Sequence, residues 1–240
     1  KNNFSNHEGG GILLLAVVFQ ASAQTNPELL KHYEAYYAQM KQQGDMQGVI
    51  NALTHLNVLS PSQARLDTLA VLYMNGGKHM QALNTLGIDA NASDSNMAVE
   101  VKAVSLQALN EPEKALVHFE ELFKRTPNIM IAYEMADLKI QINDIAGAIV
   151  NIEYGIANSK DDEVRTYYDS QTPYQVPAKA AFIYLKGLAK FKLNQSDIDG
   201  AIALLDEAIA LAPNFNIALL SKNALEARKN PPPTPEKKDN

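Results

Sequence analysis

The sequence predicts an all-α protein in which helical hairpins stack one after another and a C-terminal helix closes the stack. Three observations support this class: a turn residue and a small apolar residue that recur at one fixed interval, and prolines that end the predicted helix pairs. Gly or Asn occupies positions 44, 77, 110 and 143, so that each interval is 33 residues. The small apolar residues follow five positions later, at Val49, Ala82, Ala115 and Ala148.

Each predicted hairpin follows from local physical chemistry. Before the first turn, aromatic and apolar residues recur at helical spacing, as at Tyr33, Tyr37 and Met40. Gly or Asn at the turn tolerates the left-handed backbone that ends many helices. Prolines at 61, 127 and 213 cannot continue a helix. Because one hairpin cannot bury its apolar side alone, we expect neighbouring hairpins to stack and share a core.

The pattern divides the chain into segments. An α-solenoid is predicted over residues 24–228, with helix pairs at about 30–62, 63–95, 96–128, 129–158 and 178–213 and a capping helix at 214–228. The fifth pair comes late, because residues 159–177 form an insertion. Residues 229–240 (KNPPPTPEKKDN) have no apolar periodicity and are predicted to be a disordered tail.

Residues about 29–213 resemble the tetratricopeptide repeat (TPR) family, whose unit is a helix–turn–helix of about 34 residues. The resemblance is carried by Ala115, Phe119, Pro127, Gly187, Ala201, Ala208 and Pro213. It implies a right-handed superhelix whose inner face, lined mainly by the first helix of each pair, binds an extended peptide or a helix of a partner. It therefore implies a binding scaffold and not an enzyme.

The resemblance also implies which residues line that inner face. The family pattern places there Glu34, Asp67, Val71, Glu100, Val104, Tyr133 and Asp137. Glu34, Asp67 and Glu100 are 33 residues apart and would form an acidic row, which Asp137 would extend. Such a row would favour a basic protein or peptide partner. The alternative interpretation is that these are solvated surface charges of an acidic protein.

The insertion is the other candidate contact surface. Tyr167, Tyr168 and Tyr174 combine apolar rings with polar hydroxyl groups, a composition favoured at protein contacts. The alternative interpretation is a longer helix followed by a loop that packs back on its own repeat.

No catalytic residue, metal site or cofactor is predicted. The chain has no cysteine, and its five histidines show no metal-binding spacing. A net charge of −6 gives no electrostatic support for nucleic acid binding. A hydrolase with dispersed catalytic residues is an alternative that no paired acid and base supports.

Residues 1–23 are predicted to be a secretory signal peptide. An apolar run at 12–19 (ILLLAVVF) precedes Ala-Ser-Ala at 21–23, and this ending resembles signals common in Bacteroidetes. The alternative is an ordinary buried strand or helix. No segment is long enough for a stable membrane span. We therefore expect a periplasmic or secreted protein or peptide-binding scaffold; a structural subunit of an envelope assembly is the alternative function.

Overall fold

The computed structural model describes residues 26–230, which form helical hairpins and one small sheet. The helices are α1 (Asn26–Gln43), α2 (Met46–Leu59), α3 (Gln63–Asn75), α4 (His79–Leu86), α5 (Asn96–Ala108), α6 (Pro112–Arg125), α7 (Ile129–Gln141), α8 (Ile145–Asn158), α9 (Ala178–Leu193), α10 (Ile198–Leu211) and α11 (Asn216–Lys229). The strands β1 (Val164–Tyr167) and β2 (Tyr174–Pro177) lie between α8 and α9. The predicted all-α fold of helical repeats is confirmed, with this sheet as an addition.

The four recurring turn residues adopt the left-handed backbone that their type predicts. Their φ angles are +70° at Gly44, +70° at Gly77, +59° at Asn110 and +65° at Asn143. At each turn the next residue's backbone N–H donates to a carbonyl near the end of the preceding helix, at 2.8–3.0 Å. This bond satisfies a carbonyl that a helix end would otherwise leave unpaired. The prediction of a left-handed cap at all four positions is confirmed.

The chain divides into two compact units, which meet in sequence between Ser60 and Pro61. The described part of the first unit consists of α1 and α2, which pack against each other. Asp45 caps α2 by accepting a hydrogen bond from the backbone N–H of Gly48 at 2.9 Å. The rings of Tyr33 and His55 stack with centroids 4.3 Å apart and so join the two helices.

The second unit contains α3 to α11. Within each pair the two helices pack closely, and the second helix of a pair packs on the first helix of the next. The recurring alanines make this close approach possible. Ala82, Ala115, Ala148 and Ala201 have no exposed surface. A larger side chain at these positions would overpack the contact between helices.

The insertion forms an antiparallel β-hairpin. Arg165 lies opposite Val176, and Tyr167 lies opposite Tyr174. The strand sequences VRTY and YQVP are rich in β-branched and aromatic residues, which favour extended backbone. The interpretation of residues 159–177 as a longer helix plus a loop is therefore wrong in its helical part. The segment does pack back on its own fold, because both strands contact α9.

Candidate functional site

A groove of about 520 Å³ lies between α5, α6 and α7 in the second unit. It contains two of the side chains that the TPR resemblance places on an inner face, Glu100 and Val104, and beside them Gln107 of the same helix. The other lining residues are Asn96, Phe119, Leu122, Thr126, Asn128, Met130, Ile131 and Glu134. The predicted site residues Glu100 and Val104 thus lie together in one concave site.

Helix geometry explains why α5 presents these residues to the groove. Val99, Ala103 and Leu106 lie on the side of α5 that joins the buried core with α6 and α7. Residues three and four positions apart share one side of a helix, so Glu100, Val104 and Gln107 form a second row. Phe119 and Leu122 come from α6 and are almost fully buried. They give the groove an apolar floor beneath a polar rim.

The groove carries two carboxylates. Glu100 is exposed and forms no ion pair with any described residue. Glu134 accepts hydrogen bonds from Gln107 Nε2 at 2.7 Å and from Arg165 Nη2 at 2.8 Å. None of the described residues that line the groove is Lys, Arg or His. Glu100 is therefore the unneutralised charge of this surface.

Asp67 does not offer a free carboxylate. Its side chain is buried, with 6% of the residue exposed. Its two oxygens accept hydrogen bonds from Ser95 Oγ at 2.6 Å and from Gln63 Nε2 at 2.8 Å. Ser95 also caps α5 by accepting from the backbone N–H of Ala98 at 3.0 Å. Asp67 thus joins α3 to the beginning of α5, a role that the periodic spacing did not reveal.

The other predicted inner-face residues lie in different surroundings. Val71 is half-buried and packs on a small cluster around Ala70. Glu34 is exposed on α1, in the first unit. Asp137 is half-buried on α7, where burial raises the pKa of its carboxyl and Gln141 donates a hydrogen bond at 2.9 Å. None of these three side chains lines the groove beside α5.

Tyr133 is covered by the β-hairpin. Its hydroxyl lies 2.7 Å from the hydroxyl of Tyr167, and the guanidinium of Arg165 lies 3.6 Å from the centre of its ring. Burial raises the pKa of Tyr133 well above its usual value, so the hydroxyl stays protonated and can donate. The side chain is therefore closed off from an incoming ligand.

The three tyrosines of the insertion divide into two groups. Tyr167 and Tyr174 stack with ring centroids 5.8 Å apart, and Tyr167 also packs on Phe215, just ahead of α11. They hold the hairpin to the second unit. Tyr168 is 77% exposed at the tip of the hairpin and remains available for an outside contact.

Arg165 is the important residue that sequence reasoning missed. It joins Glu134 and Tyr133 of α7 to the hairpin, and its Nε atom is buried with no hydrogen-bond partner among the described residues. The period-two pattern of residues 164–167, which places residues 165 and 167 on one face, was the available signal. It is only four residues long and is surrounded by helical patterns.

Membrane-spanning and metal-binding features are both missing from the described part of the chain. Within residues 26–230 no helix is long and apolar enough to cross a membrane. In the same stretch no three His, Cys, Asp or Glu side chains are grouped so that they could hold a metal ion. The predicted signal peptide at 1–23 and most of the predicted tail at 229–240 lie outside the described residues.

The chain is similar to three solved structures, and the first of them supports the fold. The crystal structure of MamA protein is similar with a TM-score of 0.57 and 16% identity. The match covers 87% of this chain and 100% of that chain. A TPR protein from Parabacteroides merdae has a TM-score of 0.44 and 17% identity, covering 82% of this chain and 71% of that one. A thermophilic TPR protein in Thermus thermophilus has a TM-score of 0.45 and 12% identity, covering 82% and 98%. No family model matches the sequence, and no curated protein matches it.

Proposed function

We propose that this chain is an interaction scaffold that binds an extended, basic peptide segment of a partner protein. The site is the groove between α5, α6 and α7. The observation that carries the proposal is the combination of accessible apolar side chains at Val104, Met130 and Ile131 with the unpaired carboxylate of Glu100. Stacked helical repeats commonly use such concave surfaces to hold partners.

The two parts of the groove have different roles in this proposal. Contact of the peptide's apolar side chains with Val104, Met130 and Ile131, the more exposed apolar side chains of the groove, supplies most of the affinity, because apolar contact is the main driving force of association. Glu100 supplies selectivity for Lys or Arg, because complementary charge chiefly affects partner choice and association rate. Glu134 contributes less charge, since Arg165 already neutralises it.

A selection experiment tests the charge preference. The protein is immobilised and used to enrich a random dodecapeptide library, and the Glu100→Lys variant is used in parallel. The matched control is Glu113→Lys, which makes the same change of charge at an exposed glutamate on α6 outside the groove. We expect Lys and Arg to be enriched by the native protein and by Glu113→Lys but not by Glu100→Lys.

Two results would count against the proposal. If the native protein enriches no peptide above an empty support, the groove is not a peptide site. If Glu100→Lys and Glu113→Lys enrich the same basic sequences as the native chain, the carboxylate at 100 does not set the preference. In that second case the acidic residues of this surface are solvated charges.

We also propose that the scaffold works in the periplasm or outside the cell. The support is the sequence alone, namely the apolar run at 12–19 followed by Ala-Ser-Ala at 21–23. Expression in a Gram-negative bacterium followed by fractionation and N-terminal sequencing tests this. A periplasmic product that begins at Gln24 supports export, and an uncleaved cytoplasmic product contradicts it.

A further inference from the structure

The β-hairpin leaves one strand edge unpaired, and its hydrogen-bond register identifies which groups point outwards. The backbone N–H of Ala178 donates to the carbonyl of Glu163 at 2.8 Å, at the foot of the two strands. In an antiparallel ladder, directly paired residues alternate with residues whose N–H and C=O point away from the partner strand. Val164 and Thr166 therefore point their backbone groups outwards. Proline at 177, opposite Val164, agrees with this register because it has no N–H to donate.

The two outer edges of the hairpin differ in their surroundings. On β2, the outward carbonyl of Gln175 accepts a hydrogen bond from Asn214 Nδ2 at 3.2 Å. On β1, no described residue donates to or accepts from the backbone of Val164 or Thr166 on the outer side. Val164 is also an exposed apolar side chain. The outer edge of β1 is thus a row of unsatisfied backbone donors and acceptors, which is a template for another strand.

Strand β1 is linked to the groove through side chains of α7. The β2 edge is turned towards residue 214, just ahead of α11. The opposite strand, β1, reaches α7 through Arg165 and Glu134 and through Tyr167 and Tyr133. Glu134 itself lines the groove and also holds Gln107 of α5. Glu134 therefore belongs to the groove and also contacts β1, through the side chain of Arg165.

We propose that the peptide in the groove also adds to β1 as a third strand of the sheet. This inference rests on the proposed function and specifies how the ligand is held. Added strands gain affinity from main-chain hydrogen bonds, while alternate side chains enter pockets and give specificity. The occupant is an extended segment with at least one Lys or Arg, because the side chains facing it from the groove include Glu100 and no cation among the described lining residues.

The test uses the strongest peptide from the dodecapeptide selection, made synthetically and labelled for fluorescence anisotropy. Thr166→Pro removes an outward N–H from β1 without removing a backbone hydrogen bond inside the hairpin. The side-chain hydrogen bond that Gln175 Nε2 donates to Thr166 Oγ1 at 3.4 Å is lost in this variant and equally in its control. Gln175→Pro is the matched control, since residue 175 lies directly opposite 166 and its N–H points out of the other edge. We expect Thr166→Pro to weaken binding about tenfold and Gln175→Pro to change it by less than about twofold.

A second measurement does not depend on the variants folding. A set of peptides, each N-methylated at one backbone position, is titrated against the native full chain. Strand addition predicts that methylation at every second position weakens binding about tenfold, because only alternate N–H groups face β1. Circular dichroism of both proline variants checks that the helices are intact.

The outcomes separate the two proposals. Strand addition is overturned if peptides bind the native protein and Thr166→Pro equally well and the methylation series shows no alternation. If Glu100→Lys still loses binding in that case, the groove remains the peptide site. A failure to enrich any peptide overturns both. Self-association of the native chain that Thr166→Pro abolishes would also overturn the inference, since the edge would then be covered by a second copy.

Discussion

Replacing Lys102 with methionine is expected to destabilise the second unit by about 3–5 kcal/mol, the usual loss when one partner of a buried ion pair is removed. Lys102 is 1% exposed. Its Nζ atom donates to Asp94 Oδ2 at 2.6 Å and to the backbone carbonyl of Asp89 at 2.8 Å. Methionine keeps most of the apolar part of the lysine side chain, so the lost stability measures mainly the contribution of the charge. It leaves the Asp94 carboxylate, 12% exposed in its side chain, without its cation.

Urea denaturation followed by circular dichroism at neutral pH measures this loss. The control is Lys114→Met, which removes an ion pair with Glu111 whose side chains are 56% and 47% exposed. Exposed pairs contribute little, so the control should lose less than about 1 kcal/mol. If the two variants have the same free energy of unfolding, the burial argument is wrong. A double variant, Lys102→Met with Asp94→Asn, should recover part of the loss because no buried charge remains unpaired.

Three further predictions concern stability. Gly77→Ala should lose about 1–2 kcal/mol in urea denaturation, because φ is +70° there, whereas Gly76→Ala at φ −84° should lose less. Gly155→Ala should lower the melting temperature and cost about 1–3 kcal/mol, because an added Cβ would clash with the ring of Phe182. Burial lowers the pKa of His118 in the folded chain below its usual 6.5. As the pH falls through 6.5, the unfolded chain therefore binds more protons than the folded chain does. The free energy of unfolding should therefore decrease with acidification, and His118→Gln should remove that part of the slope.

Local features of the fold could be predicted from the sequence. The left-handed turns at Gly44 and Asn110 follow from residue type, because few other residues adopt positive φ at low cost. The buried alanines, such as Ala115 and Ala148, follow from a recurring interval in which each repeat meets the next in the same way. The turns depend on residues that are neighbours in sequence, and the alanines depend on one contact that every repeat makes. Both features therefore appear in the sequence at a fixed interval.

The site could be predicted only in part, because its remaining features depend on contacts distant in sequence. Glu100 and Asp67 occupy the same position in successive repeats, yet one is exposed and the other is buried. The difference arises because Ser95, a residue in the loop before α5, donates to Asp67. A repeat pattern assigns both residues the same surroundings. It contains no information about an irregular loop that covers one of them.

The hairpin and the groove both involve the same recurring position of the helical repeat. Tyr133 stands 33 residues after Glu100, so it is the next position of the periodic series to which Glu100 belongs. In α7 that position is covered by Tyr167 and Arg165 of the insertion. The insertion therefore covers, within the second unit, the residue that follows Glu100 in this series. Under the proposed strand addition, a bound segment follows the groove past Glu100 and continues along the unpaired edge of β1.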